Sequence, residues 1–114
     1  MKVYLSGSIS SDPQYKEHFK TFRDYLISIV GDNVEIINPA ETDDENKAWS
    51  EWIIHDLKII ETCDILIVLP GYKRSKGSNI EMLFANGAGL KVMNIYEFID
   101  WYYSTINGGT NECA

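Results

Sequence analysis

The sequence predicts an α/β fold: a single doubly wound, mainly parallel sheet with flanking helices. Three observations carry this. Strand-like and helix-like segments alternate along the chain in the order βαβαβαβα. The stretch "DILIVLP" places five consecutive apolar residues between Asp64 and Pro70, the continuous hydrophobicity of a strand covered on both faces. A chain of 114 residues, 45% apolar and 24% charged, supports one packed core and not two.

Each element follows from local chemistry. "KVYLSGSIS" alternates as a short strand and breaks at Gly7. Asp12-Pro13 then supplies an expected N-cap followed by proline at the first helical position. In the helix that follows, Tyr15, Phe19, Phe22, Leu26 and Ile29 recur at spacings of three and four, and Gly31-Asp32-Asn33 stops it. "VEII" is a second strand, closed by Asn38-Pro39. An acidic loop leads to a second helix over about 49–62, and "DILIVLP" is the third strand. A loop over 71–78, a helix over about 79–88, the strand "KVMNI" and a last helix through Phe98, Trp101 and Tyr102 complete the order. Right-handed crossovers then give a Rossmann-like or flavodoxin-like sheet whose ligands collect at the carboxyl ends of the strands. The predicted domain is 1–106, with "NGGTNECA" (107–114) as a flexible C-terminal tail.

Bulk properties narrow the function. A formal charge of −7 and a pI near 4.7 argue against a nucleic-acid polymer or a membrane surface as partner, because both attract Lys/Arg-rich faces. Cys63 and Cys113 form no metal-ligand spacing, so no metal and no cofactor is expected, and reduced thiols fit a cytoplasmic protein. Met1 runs directly into strand pattern, with no signal-like apolar core and no run long enough to span a bilayer. GxGxxG after the first strand, GxxxxGK[ST] and GxSxG are all absent, which removes dinucleotide, P-loop and hydrolase-elbow chemistry. His18 and His55 lie in helical segments without a Ser or Cys partner in sequence, and read as structural.

Several residues fit a purely structural account poorly. Asp56 falls on the apolar stripe of the second helix, with Trp52, Ile53 and Ile60 three or four residues away. A buried, unpaired carboxylate costs several kcal/mol at least, so Asp56 either ties down a loop or opens onto a cleft. Glu81 has two readings. Ser78-Asn79-Ile80-Glu81 fits a capping box, and the same carboxylate, beside the carboxyl end of the central strand and ionised by a helix amino end, is a competent nucleophile. Lys73, Arg74 and Lys76 are either a solvated run or a steering patch for an anionic substrate. Gly7 and Ser8, with Ser10 and Ser11, offer amides and hydroxyls to phosphate or sugar oxygens. Tyr4 reads as core packing, or as a buried hydroxyl whose partner is a carboxylate at a neighbouring strand end.

Taken together, "VYLSGSI", "HDLKIIETCDILIVLPG" and "SKGSNIE" resemble the nucleoside 2-deoxyribosyltransferase superfamily, including its nucleotide N-glycosidase branch of small, often phage-encoded members. The resemblance spans roughly residues 2–95. By position it implies Tyr4 as the tyrosine that orients the nucleophile, Asp56 as the residue that handles protons on the departing base, and Glu81 as the nucleophile. It also implies substrate contacts from Ser6, Gly7, Ser8, Ser75 and Gly77.

The activity so implied is cleavage of the N-glycosidic bond of a 2'-deoxynucleoside or its 5'-monophosphate through a glycosyl-glutamate, resolved by water or by a second base, with hydrolysis favoured. Two carboxylates in separate roles are what such a displacement requires. The resemblance further implies a homodimer or higher homo-oligomer in which a neighbouring subunit supplies Asn94 to the sugar's 5' end. "IYEFIDWYY" is a candidate interface, or packs on the sheet. The chain departs from the pattern in two places: Ser10, Ser11 and Asp12 stand where a basic residue commonly follows "GSI", and Tyr72 replaces a tryptophan after "LPG". A non-catalytic nucleotide-binding domain on the same fold is the alternative.

Overall fold

Four parallel strands, β1 (Lys2–Ser6), β2 (Glu35–Ile37), β3 (Ile65–Val68) and β4 (Lys91–Asn94), lie in the order β2-β1-β3-β4 in the computed structural model. Residues 1–9, 12–42 and 47–106 are described; the expected tail 107–114, Ser10, Ser11 and the acidic stretch 43–46 lie outside them. The chain runs outward from β1 to β2 and then returns to β3 on the other side. The switch point of this doubly wound α/β sheet therefore lies between the carboxyl ends of β1 and β3, where such sheets open a crevice.

Alternation along β1 sorts its side chains into two layers. Val3 and Leu5 join Ile65 and Ile67 of β3 beneath α1 (Tyr15–Val30) and α4 (Ile95–Ile106), packing on Phe19, Leu26, Phe98 and Tyr102. Tyr4 points the other way with Leu66 and Val68, beneath α2 (Trp49–Ile60) and α3 (Lys76–Gly87), meeting Ile60 and Ala85. Every residue of β3 is buried, as a doubly covered strand requires. Register pairs Tyr4 with Leu66 and Ser6 with Val68. Phe98 and Tyr102 of the aromatic-rich last helix pack onto the sheet, while Tyr96 and Tyr103 stay exposed.

Two helix starts differ from the sequence prediction. The first helix begins at Tyr15 rather than at Pro13. Asp12 caps a preceding turn instead, its carboxylate accepting the Gln14 N–H at 2.9 Å and facing the His18 ring at 2.6 Å. The third helix begins at Lys76, three residues before its predicted start. Gly71, at φ +88°, turns the chain sharply after β3 in a conformation a β-carbon would disfavour. A short 3₁₀ turn over Tyr72–Arg74 follows, and Ser75 becomes the N-cap, its hydroxyl accepting the Ser78 N–H at 3.1 Å. The capping box expected at Ser78 and Glu81 therefore does not form. The same Ser-x-x-Ser spacing one turn earlier takes the cap, and Glu81 moves into the second turn.

Candidate active site

Displaced from the helix end, Glu81 points inward and is only 5% exposed. Its partners come from β1. Tyr4 Oη donates to Oε2 at 3.0 Å and Ser6 Oγ donates to Oε1 at 2.7 Å. Ser78 Oγ lies 2.7 Å from Ser6 Oγ. A serine hydroxyl has one proton, so with Ser6 donating to Glu81, Ser78 donates to Ser6, and a hydroxyl relay runs from α3 through β1 to the carboxylate. Ser75 adds a tie between the two loops, donating to the Gly7 carbonyl at 3.5 Å.

Asp56, 6% exposed on the inner face of α2, approaches the same group. Its Oδ1 lies 3.4 Å from Nδ1 of His55, whose ring meets Trp52 edge-on at 5.6 Å between centroids. Burial pushes Asp56 above the usual carboxylate range, opposed by His55 beside it. Burial pushes Glu81 up to about 8; the Ser6 hydroxyl opposes this and the nearby Asp56 charge reinforces it. Tyr4 is raised well above its ordinary value, by burial first and then by the two carboxylates. The expectation of a Glu81 held ionised by a helix amino end is thus corrected: the dipole effect fades beyond the first turn, and desolvation governs this carboxyl. Two buried carboxyls facing one space disfavour double ionisation and favour holding a proton between them.

The pair opens onto a cleft of about 240 Å³. Glu81, Asp56, Ser75 and Ser78 form its polar floor, and Gly7 and Gly77 also line it. Ile9, Pro39, Trp49, Trp52 and Ile53 make an apolar wall, and Lys47 is the cation among the lining residues. The Lys47 ammonium sits 4.8 Å from the centre of the Trp52 ring.

The structure thus gathers Glu81, Asp56, Ser6, Gly7, Ser75 and Gly77, with Tyr4 behind Glu81 rather than in the wall. It leaves the others elsewhere. Ser8 lines a separate hollow of about 370 Å³ with Asp12 and His18. Asn94 is exposed and closes a reciprocal cap on α4, its Oδ1 accepting the Glu97 N–H and its N–H donating to Glu97 Oε1, both at 2.8 Å. Lys73, Arg74 and Lys76 do not line the cleft, and Tyr72 packs against the core beneath α2 and α3. Sequence reasoning missed Lys47 and Trp49 as lining residues and placed Trp52 on the apolar stripe of the second helix. The signal available was a lysine beside two tryptophans at the amino end of the helix that carries Asp56. Among the described residues no group of three or more His, Cys, Asp or Glu side chains could hold a metal ion, and no helix is long and apolar enough to cross a membrane.

Fold and cleft together define a doubly wound α/β protein with a paired-carboxylate site at the switch point of its sheet. The chain belongs to the family described as "Domain of unknown function (DUF4406)", which matches residues 1–94. Among curated proteins no sequence matches it. Among solved structures it is similar to the Clostridium botulinum CMP N-glycosidase BcmB, with a TM-score of 0.52 and 24% identity over 82% of this chain and 67% of that one. The two share a fold, and the likeness to N-glycosidases read from the sequence motifs is borne out at that level.

Proposed function

We propose that this protein cleaves the N-glycosidic bond of 2'-deoxynucleosides or their 5'-monophosphates, with Glu81 as nucleophile and Asp56 as proton carrier. One observation carries the reading: a buried glutamate, each oxygen held by a hydroxyl from β1, stands beside a second buried carboxyl at the floor of an open cleft. A cap or a packing residue has no use for that arrangement. The N-glycosidase activity named for the structural neighbour supports the same class of reaction.

The shared proton gives the sequence of events. With the cleft empty, Glu81, pushed up to about 8 by burial, holds it at neutral pH. Transfer of that proton from Glu81 to Asp56 leaves a carboxylate, stabilised by the Tyr4 and Ser6 hydroxyls, facing the sugar. Glu81 then attacks the anomeric carbon and forms a C–O bond as the C–N bond breaks. The electron pair leaves with the base, which takes the proton from Asp56. Water, deprotonated by Asp56, opens the glycosyl ester and restores the shared proton. This is hydrolysis with retention of configuration, the geometry of a two-carboxylate displacement.

The test is a panel of deoxynucleosides and monophosphates incubated with the protein, with base release followed by chromatography and a deoxyribosyl adduct sought on the peptide containing Glu81. Glu81→Gln keeps the side-chain shape and one acceptor for the β1 hydroxyls, its amide nitrogen being a donor only, and abolishes adduct and release. Turnover by the Glu81→Gln variant at the wild-type rate would refute the assignment.

A further inference from the structure

The wall of the cleft carries information about the base, and this inference rests on the glycosidase reading proposed for the site. If Asp56 delivers the proton to the departing base, the base lies along the α2 face that holds Asp56. Trp52 is four residues before Asp56 and Trp49 seven before it, so the three share one helical face, with Lys47 just ahead of the helix. All four line the cleft. The flat indole of Trp52, held edge-on by His55, has the shape of a stacking platform. The Lys47 ammonium lies over that indole, 4.8 Å from its centre, and its long flexible stem lets it yield the face to a planar ring while keeping its charge beside it.

We infer that Trp52 is the platform for the base and that Lys47 selects bases presenting an oxo group at the edge away from the sugar, the 4-oxopyrimidines and 6-oxopurines, over their amino counterparts. The physical reason is the one-sided chemistry of lysine, which offers three donors and no acceptor. A carbonyl oxygen at that edge completes a charge-assisted hydrogen bond. An amino group would set donor against donor and leave the ammonium unsatisfied, a repulsive element that sharpens selectivity. Lys47 contributes to the reaction as well as to binding. As the C–N bond breaks, the electron pair delocalises from the ring nitrogen onto the carbonyl oxygen, and an ammonium fixed at that oxygen stabilises the developing charge until Asp56 protonates the ring. Lys73, Arg74 and Lys76, though more numerous, do not line the cleft and have no part in this choice.

The experiment compares deoxyuridine with deoxycytidine, and their monophosphates, pairs that differ by oxo against amino at one ring position. Base release is measured for the wild type, Lys47→Met and Lys73→Met. Wild type is expected to favour the oxo partner by about 10-fold or more in kcat/KM, the scale of a hydrogen bond to a charged group. Lys47→Met collapses that ratio towards one, and Lys73→Met leaves it unchanged. A second arm reads binding without chemistry: in the Glu81→Gln background, tryptophan fluorescence is titrated with deoxyuridine and deoxycytidine monophosphates, with and without Lys47→Met, and Trp52→Leu identifies the reporting ring. A preference for the oxo ligand that Lys47→Met removes supports the inference even where no base is released from any substrate, in which case the catalytic reading alone falls. Preference for the amino partner, or a ratio that Lys47→Met does not move, overturns the inference while leaving glycosidic cleavage standing.

Discussion

Tyr4 Oη and Glu81 Oε2 lie 3.0 Å apart although 77 positions separate them in the chain. The contact is fully buried, and the tyrosine is a donor to a carboxyl that is costly to ionise. Tyr4→Phe preserves the ring in its layer and removes only that donor. Stability falls by about 1 kcal/mol, the ordinary net value of such a bond. Turnover falls by about 10- to 100-fold, because the ionised nucleophile loses one of its two hydroxyl supports. Urea unfolding set beside kcat separates the two effects; equal, small losses in both would make Tyr4 a packing residue.

The elevated Glu81 carboxyl makes folding stability depend on pH. Below the unfolded value of 4.5 the group is neutral in both states and its burial costs no charge. As pH rises from 4.5 to about 8, the unfolded chain releases a proton that the folded chain retains, so stability declines through that window and then levels off. The decline amounts to a few kcal/mol at most, since each tenfold change in proton affinity is worth about 1.4 kcal/mol and hydroxyl contacts and water at the cleft relieve part of it. Glu81→Gln flattens most of the slope and is more stable than wild type at pH 9. Denaturant melts at pH 5, 7 and 9 decide this, and parallel curves for the two proteins would count against a buried, proton-holding Glu81.

Catalysis has its own pH signature. The reactive pair needs one proton between its two carboxyls, so the rate falls on the alkaline side near pH 8, where the last proton leaves, and on the acid side, where both carboxyls are protonated. Asp56→Asn removes the carrier and with it the alkaline limb. The residual rate is greatest on substrates whose base leaves without protonation, such as p-nitrophenyl deoxyribosides, and a uniform loss on all leaving groups would argue that Asp56 does not deliver the proton.

Ser75 joins the capping of α3 to the β1 loop. Ser75→Ala removes an N-cap and costs about 1 kcal/mol. It also frees the helix end from the Gly7 carbonyl, so KM rises more than stability alone explains. Thermal melts and Michaelis curves on the same preparation check both halves.

At Gly77 an added β-carbon would come within 3.2 Å of Ile53 Cδ1, the flexible tip of a side chain that also lines the cleft. Gly77→Ala therefore folds normally, within about 1 kcal/mol of wild type, since the helix gains from alanine what the contact costs. The cleft narrows and KM rises. An unchanged KM would place the substrate away from this wall.

The sheet and its two covering layers were legible because continuous apolarity in "DILIVLP" and helical spacing elsewhere record burial directly. Asp56 and Tyr4 were legible as polar groups on apolar faces. The start of α3 was not, because Ser75 and Ser78 each stand three residues before a polar side chain, and only the 3₁₀ turn over Tyr72–Arg74 decides between them. The cleft wall was hidden for a different reason. Periodicity shows that Trp49 and Trp52 share an apolar face, but that face packs at Ile60 and parts from its neighbours towards the amino end, and no local pattern records where two layers diverge. The basic cluster over 73–76 misled in the same way: proximity in sequence to the cleft's floor does not turn side chains into it.

The alternation of β1 has one more implication. Val3 and Leu5 fill one layer while Tyr4 and Ser6 reach Glu81 in the other, so a shift of β1 by a single residue would exchange the two sets. The same slip that exposes the strand's greasy side chains to the wrong layer also strips Glu81 of both hydroxyls. A misregistered chain thereby loses the buried hydroxyl–carboxyl cluster together with its core, so an intact Tyr4–Glu81 contact reports that strand pairing is correct.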